Sequence, residues 1–260
     1  MQGGGAQLKR IVLFAVLTVV FVAPLYAQNK DPIWDQDQVA DATVLVYQVK
    51  GGSATIVVKD NRYYLLTASH VAKELKDSSK VIFRLKGDKP SIHDLLPITK
   101  AKSMNWKHHP VADVALIELD LGNPSIKTII EERAFPAQLI HSGKELPKRD
   151  ADLTFLGYPV VDMKMEHFSP LVFTAYLSSG LITQQRYDTK TKSNFFYLNV
   201  PSIEGCSGSG VFFSVKKAIF MAGKATLMIG VMHGTQGDST GGKLAAVTPS
   251  YYVLDLLKEQ

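Results

Sequence analysis

The chain of 260 residues carries 29 Lys and Arg against 24 Asp and Glu, a formal balance of +5, and has a single cysteine, Cys206. So mild a charge argues against a nucleic-acid footprint and against a strongly basic membrane-binding surface, both of which need clustered Lys and Arg. One cysteine excludes an intramolecular disulfide, so the fold must be held by packing.

In chain order, Lys9 and Arg10 precede a mostly apolar run from Ile11 to Ala23 that ends at Pro24-Leu25-Tyr26-Ala27. Positive charge, apolar core and small-residue boundary in that order predict a secretory signal over residues 1–27, cut after Ala27. A retained N-terminal anchor is the alternative, although the run is shorter than the roughly 20 residues of a membrane span. Loss of residues 1–27 removes two basic and no acidic residues, leaving 27 against 24, or +3. The expectation is an exported bacterial protein, periplasmic or extracellular, with no stable membrane insertion once the signal is gone. Residues 28–41 form an N-terminal segment that further processing could remove.

Short apolar or alternating runs follow at Ala42 to Gln48, Thr55 to Val58, Tyr63 to Thr67, Val81 to Leu85 and Val114 to Leu119. They are rich in Val, Ile and Tyr and are broken by turn residues such as Gly51-Gly52 and Asp60-Asn61, which is the signature of strands. After a polar connector around His141 to Asp152, a second series runs through Leu153 to Gly157, Leu171 to Tyr176, Phe195 to Val200, Gly210 to Phe213, Thr226 to Met232 and Leu244 to Val247. Many short strands without intervening helices predict an all-β sandwich or barrel rather than a parallel sheet. Helix is expected only at Val71 to Lys76 and at Pro249 to Glu259, where Tyr252, Leu256 and Leu257 repeat at helical spacing behind a proline.

Serine is a poor nucleophile unless a base, a group that orients the base, and donors for an oxyanion stand beside it. Three segments could supply such a set. Leu65-Leu66-Thr67-Ala68-Ser69-His70 delivers a histidine at the end of an apolar strand, and Asp113-Val114-Ala115-Leu116-Ile117 places an acid directly before another. Gly205-Cys206-Ser207-Gly208-Ser209-Gly210 flanks a serine with glycines that let successive N–H groups point into one concavity. Taken singly, each has a plainer reading: a capping or surface histidine, an acid ending a turn, a flexible glycine-serine turn.

In that order the three segments resemble the Thr-Ala-(Ala/Ser)-His, Asp-(Ile/Val)-Ala-Leu and Gly-x-Ser-Gly signatures of the trypsin-like serine peptidases, and most nearly the bacterial branch with HtrA-type and glutamyl endopeptidases. Asp113 follows His70 by 43 residues and Ser207 follows Asp113 by 94, spacings of the size that family uses. Gly51-Gly52-Ser53-Ala54-Thr55, Phe155-Leu156-Gly157-Tyr158-Pro159, Ile229-Gly230-Val231 and Ala245-Ala246-Val247-Thr248-Pro249 extend the resemblance over nearly the whole mature chain. It implies two six-stranded antiparallel β-barrels with the site between them, residues 42–140 carrying His70 and Asp113 and residues 141–260 carrying Ser207 and a short C-terminal helix. It also implies a serine endopeptidase: Ser207 as nucleophile, His70 as base, Asp113 orienting His70, and the N–H groups of Gly205 and Ser207 as oxyanion hole. No cofactor and no metal is implied, and the partner is a protein or peptide substrate. A non-catalytic peptide- or protein-binding module on the same barrels is the competing reading.

Register assigns the attack to Ser207 rather than Cys206, because the nucleophile stands two residues after a glycine. Gly237-Asp238-Ser239-Thr240-Gly241 spells an esterase-like motif, yet no histidine follows His233, and the phosphate-loop reading fails at Leu244. The adjacent His108-His109 pair lacks the spacing of ligands on one helix face. The resemblance implies that residues shortly before the nucleophile, Pro201 and Ser202, and the strand around 230 line the substrate pocket, with His233 there either as a substrate contact or as a wall residue near the triad. Pro201 is uncharged, which points to a small or aliphatic rather than a basic residue before the cleaved bond. No PDZ-like domain is expected after the second series.

Overall fold

The computed structural model describes residues 34–149, 151–159, 166–186, 188–213 and 226–259. The predicted signal lies outside the described residues. Among those described, no helix is long and apolar enough to cross a membrane.

Helix α1 (Gln36–Ala42) opens the fold with a capping box in which Asp35 accepts from the Gln38 N–H and the Gln38 side chain accepts from the Asp35 N–H. Its Val39, Ala40 and Ala42 are buried. The sequence reading placed residues up to 41 in a removable segment, and a cut inside this helix would strip Val39 and Ala40 from the core.

The first sheet contains β1 (Thr43–Tyr47), β2 (Gly51–Lys59), β3 (Arg62–Thr67), β4 (Lys80–Leu85), β5 (Lys89–Asp94), β6 (Lys107–His108), β7 (Ala115–Glu118) and β8 (Phe135–Pro136). Its order is β5-β4-β1-β2-β3-β7-β6, with β8 paired parallel to β2. The β2–β3 hairpin turns through Asp60 and Asn61, both at positive φ, which is the geometry a two-residue hairpin demands. Helices α2 (Ser69–Glu74) and α3 (Pro124–Glu131) interrupt the strands.

The second sheet contains β9 (Asp152–Gly157), β10 (Leu171–Tyr176), β11 (Ile182–Gln185), β12 (Lys192–Leu198), β13 (Gly210–Phe213), β14 (Met228–Gly237) and β15 (Lys243–Pro249), in the order β10-β9-β13-β14-β15-β12-β11. Helix α4 (Tyr251–Lys258) ends the described chain. The expected all-β double-barrel class holds, with eight and seven strands among the described residues in place of the expected six in each. Short or polar pieces make the difference: β5, β6 and β11 lack an apolar run, and β8 is only two residues long.

Each sheet encloses its own apolar core, one around Ile56, Leu65, Phe83 and Ile117 and the other around Phe155, Phe196, Leu198 and Val247. A third cluster joins Leu66 and Phe135 of the first sheet to Leu156, Phe212 and Val231 of the second, and takes in Val253, Leu256 and Leu257 of α4. Burial of Leu or Phe side chains is worth roughly 1.5–3 kcal/mol each, so this shared layer fixes one sheet against the other and with it the cleft between them.

Candidate active site

Strand β3 ends at Thr67, and Ala68 leads into α2, whose second residue is His70. An N–H in the first turn of a helix has no partner within the helix. Here the His70 N–H donates to Asp113 Oδ1 at 3.0 Å, while His70 Nδ1 lies 2.7 Å from Asp113 Oδ2. The same carboxylate therefore fixes both the backbone and the ring of His70.

Asp113 is fully buried between Ala112 and Val114, at the end of a loop tightened by His109 Nδ1, which accepts from the N–H groups of Val111 (3.2 Å) and Ala112 (3.0 Å). Two groups from the second sheet reach it. Arg186, 2% exposed at the end of β11, donates from Nη2 to Asp113 Oδ1 at 3.0 Å and is itself paired with Asp188. His233 Nδ1 lies 2.5 Å from Asp113 Oδ2. Burial alone would raise the pKa of Asp113, but the hydrogen bonds and charges of His233 and His70 overcome it and hold the carboxyl well below the usual carboxylate range.

Ser207 stands in a tight turn before β13. Gly205 and Gly208 have φ of +95° and +90°, and a side chain at either would run into backbone, the Tyr158 carbonyl in one case and the Ser53 carbonyl in the other. The first sheet holds this turn: the Ser53 hydroxyl donates to the Gly205 carbonyl (2.8 Å), the Ser53 N–H to the Ser207 carbonyl (2.8 Å), and the Thr55 hydroxyl accepts from the Gly210 N–H (3.1 Å). Among the described residues, the N–H groups of Gly205 and Ser207 have no acceptor. The Ser207 hydroxyl donates to the His233 carbonyl at 3.0 Å, and no hydrogen bond joins it to His70. His70, Ser207 and Gly205 nevertheless wall one cavity of about 350 Å³, together with Gly51, Glu74 and Glu204.

The structure thus brings His70, Asp113, Ser207, Gly205 and His233 into one cleft. Pro201 and Ser202 lie on the loop leading to Ser207; Pro201 is exposed, and the Ser202 carbonyl accepts from the Thr235 hydroxyl at 2.6 Å. His233 aims Nδ1 at Asp113, and its ring also faces a second cavity of about 370 Å³ with Gln184, Arg186, Lys190 and Thr235. Ligand atoms of His70, Asp113 and His233 lie within 4.8 Å of one another, a set that could hold a metal ion, with both Nδ1 atoms against the carboxylate. Cys206 is buried behind Ser207, its side chain pressed against Gly157, and burial pushes the thiol up to about 11.

The described architecture matches solved structures over most of its length. The fold is that of the trypsin-like serine proteases. The trypsin-like fold recurs in the active form of the Rv3671c protease from M. tuberculosis (TM-score 0.54, 17% identity, 88% of this chain and 87% of that one). It recurs in the MamO protease domain from Magnetospirillum magneticum (TM-score 0.55, 17% identity, 84% and 96%). The HtrA-type protease AlgW, solved with a tripeptide, matches at TM-score 0.54 and 17% identity over 86% of this chain, which spans 61% of AlgW. No protein-family model and no curated protein sequence matches the chain.

Sequence reasoning missed Arg186 and the hydroxyl of Ser53 as parts of the candidate site. Arg186 follows Gln184-Gln185 with no motif around it. Ser53 lies in a strand start that the family resemblance picked out, but its partners are some 105 and 152 residues away.

Proposed function

We propose that this chain is an exported serine endopeptidase that hydrolyses peptide bonds through Ser207, His70 and Asp113 by way of an acyl-enzyme. The observation that carries the reading is the buried Asp113 carboxylate bonded to both the backbone and the ring of His70, in a cleft that His70 shares with Ser207 and Gly205. An ionised carboxylate only accepts, so it selects the His70 tautomer with hydrogen on Nδ1 and leaves Nε2 as the base.

The steps balance with water as the only co-reactant. Ser207 Oγ attacks the scissile carbonyl carbon as its proton passes to His70 Nε2, and the oxyanion is held by the N–H groups of Gly205 and Ser207. The C–N bond then breaks, His70 returns the proton to the leaving amine, and an ester remains on Ser207. Water, deprotonated by His70, attacks the ester carbonyl, and Ser207 leaves with the proton. Asp113 stays ionised throughout and stabilises the imidazolium that forms twice.

Reaction requires the Ser207 hydroxyl to turn from the His233 carbonyl to His70, a rotation about one side-chain bond. That resting contact is the one observation that favours the second reading, a peptide-binding module without turnover. Digestion of an unfolded protein by chain beginning near Gln28 separates the two. Peptidase action predicts that Ser207→Ala lowers kcat/KM by about 10²- to 10⁴-fold or more. Peptide binding without cleavage, unchanged in Ser207→Ala, supports the module instead.

A further inference from the structure

The cavity of about 350 Å³ beside Ser207 is apolar along one side and acidic at its rim. Helix α2 supplies much of it. Side chains four apart adjoin on a helix, so His70 has Glu74 for a neighbour and Val71 has Leu75, the residue that caps α2. All four line the cavity. Val71 is fixed there by close packing on β2, where a Cβ at Gly52 would fall 2.6 Å from Val71 Cγ1. The second sheet adds Glu204, directly before Gly205.

The charges on this cavity are unevenly matched. Glu204 lies 3.7 Å from Lys50, and both side chains are exposed, so the pair is weak and readily exchanged for another. Glu74 is exposed and has no ion-pair or hydrogen-bond partner among the described residues, since its neighbour Lys73 is turned to Asp188 at 3.2 Å. The cavity of about 370 Å³ on the side of His233 has the opposite character: Arg186 and Lys190 line it, and among the described residues no carboxylate does.

The reaction decides which part of a substrate meets the acidic cavity. His70 returns its proton to the leaving amine, so that amine and the residues behind it must lie on the side of His70. The segment after the cleaved bond therefore enters the cavity that His70, Val71, Glu74 and Glu204 line. A side chain that suits this lining has an aliphatic stem to lie along Val71 and Leu75 and a cationic tip to reach the two carboxylates, which is the build of lysine and arginine.

We propose that this chain selects substrates with lysine or arginine at one of the first two positions after the cleaved bond, read by Glu74 and Glu204. The inference rests on the peptidase reading above and names the substrate class of that same site. Neither glutamate takes part in making or breaking a bond; both act on the choice of peptide.

The test starts from a sequence that the protein cleaves in an unfolded protein, made as internally quenched peptides with Lys, Gln or Glu at each of those two positions. At one position kcat/KM is expected to fall about 2- to 10-fold from Lys to Gln and again from Gln to Glu in dilute buffer, and the differences should shrink in about 0.5 M salt. The double variant Glu74→Gln/Glu204→Gln should cleave the Lys and Gln peptides equally, and Glu74→Lys should favour the Glu peptide over the Lys peptide. Equal kcat/KM for all three peptides in the parent protein, or a Lys preference that persists in the double variant, overturns the proposal. If the variants fail to fold, the parent decides alone, because a preference that salt leaves unchanged is not electrostatic and overturns it too. Cleavage indifferent to charge sinks this inference and leaves the peptidase reading intact, whereas a parent protein that cleaves nothing sinks both.

Discussion

Cys206 and Ser207 are adjacent, yet their surroundings assign them opposite chemistry. The Ser207 hydroxyl is half-exposed in the cleft, whereas the Cys206 thiol is buried against Gly157 and its pKa is pushed up to about 11. A thiolate is the reactive form of cysteine, so the native protein should resist alkylation. Iodoacetamide at pH 7.5 is expected to leave Cys206 unmodified in the folded protein and to modify it fully after denaturation, as read by intact mass. Rapid alkylation of the folded protein would contradict the packing. At this scale His70, Asp113 and Ser207 were legible, because each sits in a short local pattern of strand end, small residues and glycine. Arg186 was not, since nothing in Gln184-Gln185-Arg186 reveals that folding across 73 residues sets its guanidinium against Asp113.

Among the elements, the loop before β7 depends on His109 as a neutral acceptor. Its Nδ1 takes the N–H groups of Val111 and Ala112, and burial holds its pKa below the usual histidine value, against the smaller opposing pull of Asp255 and Glu259. A base with a depressed folded pKa binds its proton first in the unfolded state as pH falls. Its contribution to stability is therefore complete above about pH 6.5 and is lost progressively as pH falls below that toward the folded value. Asn at 109 can accept the same two N–H groups through its side-chain oxygen without titrating. His109→Asn should sit lower in melting temperature at pH 7.5 because the ring contact with Tyr252 is gone, but should lose about 2–4 °C less than the parent between pH 7.5 and 5. Identical pH slopes would contradict this account of the loop.

The strands carrying the site were readable from alternation and turn residues, but α1 and α3 were not read as helices. Their signals are local: Asp35 with Gln38 forms a capping box, and Asn123-Pro124 precedes Ile126 and Ile130 at helical spacing. They are two turns long, too short for periodicity to stand out against the flanking strands. The β-bulge at His233 is a different case, because only the register of β14 on β15, Met232↔Val247 and then Gly234↔Ala246, creates it.

Over the whole molecule, the site exists only where the two sheets meet, and Ser53 is the clearest joint. Its hydroxyl accepts the Tyr158 N–H at 3.1 Å and donates to the Gly205 carbonyl at 2.8 Å, all three buried. Ser53→Ala leaves two buried backbone groups without partners and should cost about 1–3 kcal/mol in denaturant unfolding. It should also lower kcat, because the turn that carries the Gly205 N–H, the proposed oxyanion donor, is no longer tied down at the Gly205 carbonyl. Unchanged stability and unchanged kcat would show that the joint carries neither role. The all-β class was foreseeable from the number and spacing of strands, and the two-barrel arrangement from the family resemblance. The way α4 closes the molecule was not: a helix following the second sheet packs its Leu256 and Leu257 into the layer shared with the first, and Lys59 of β2 donates to the Leu257 carbonyl at 3.0 Å.

The central claim is that Ser207 is a nucleophile activated by its neighbours, and the most direct measurement is its covalent labelling. Folded protein treated with an organophosphorus fluoridate should gain one adduct by intact mass, mapped to Ser207 by peptide sequencing, and lose it in both Ser207→Ala and His70→Ala. Absence of any adduct in the folded parent protein, or an adduct that persists in Ser207→Ala, would contradict the account.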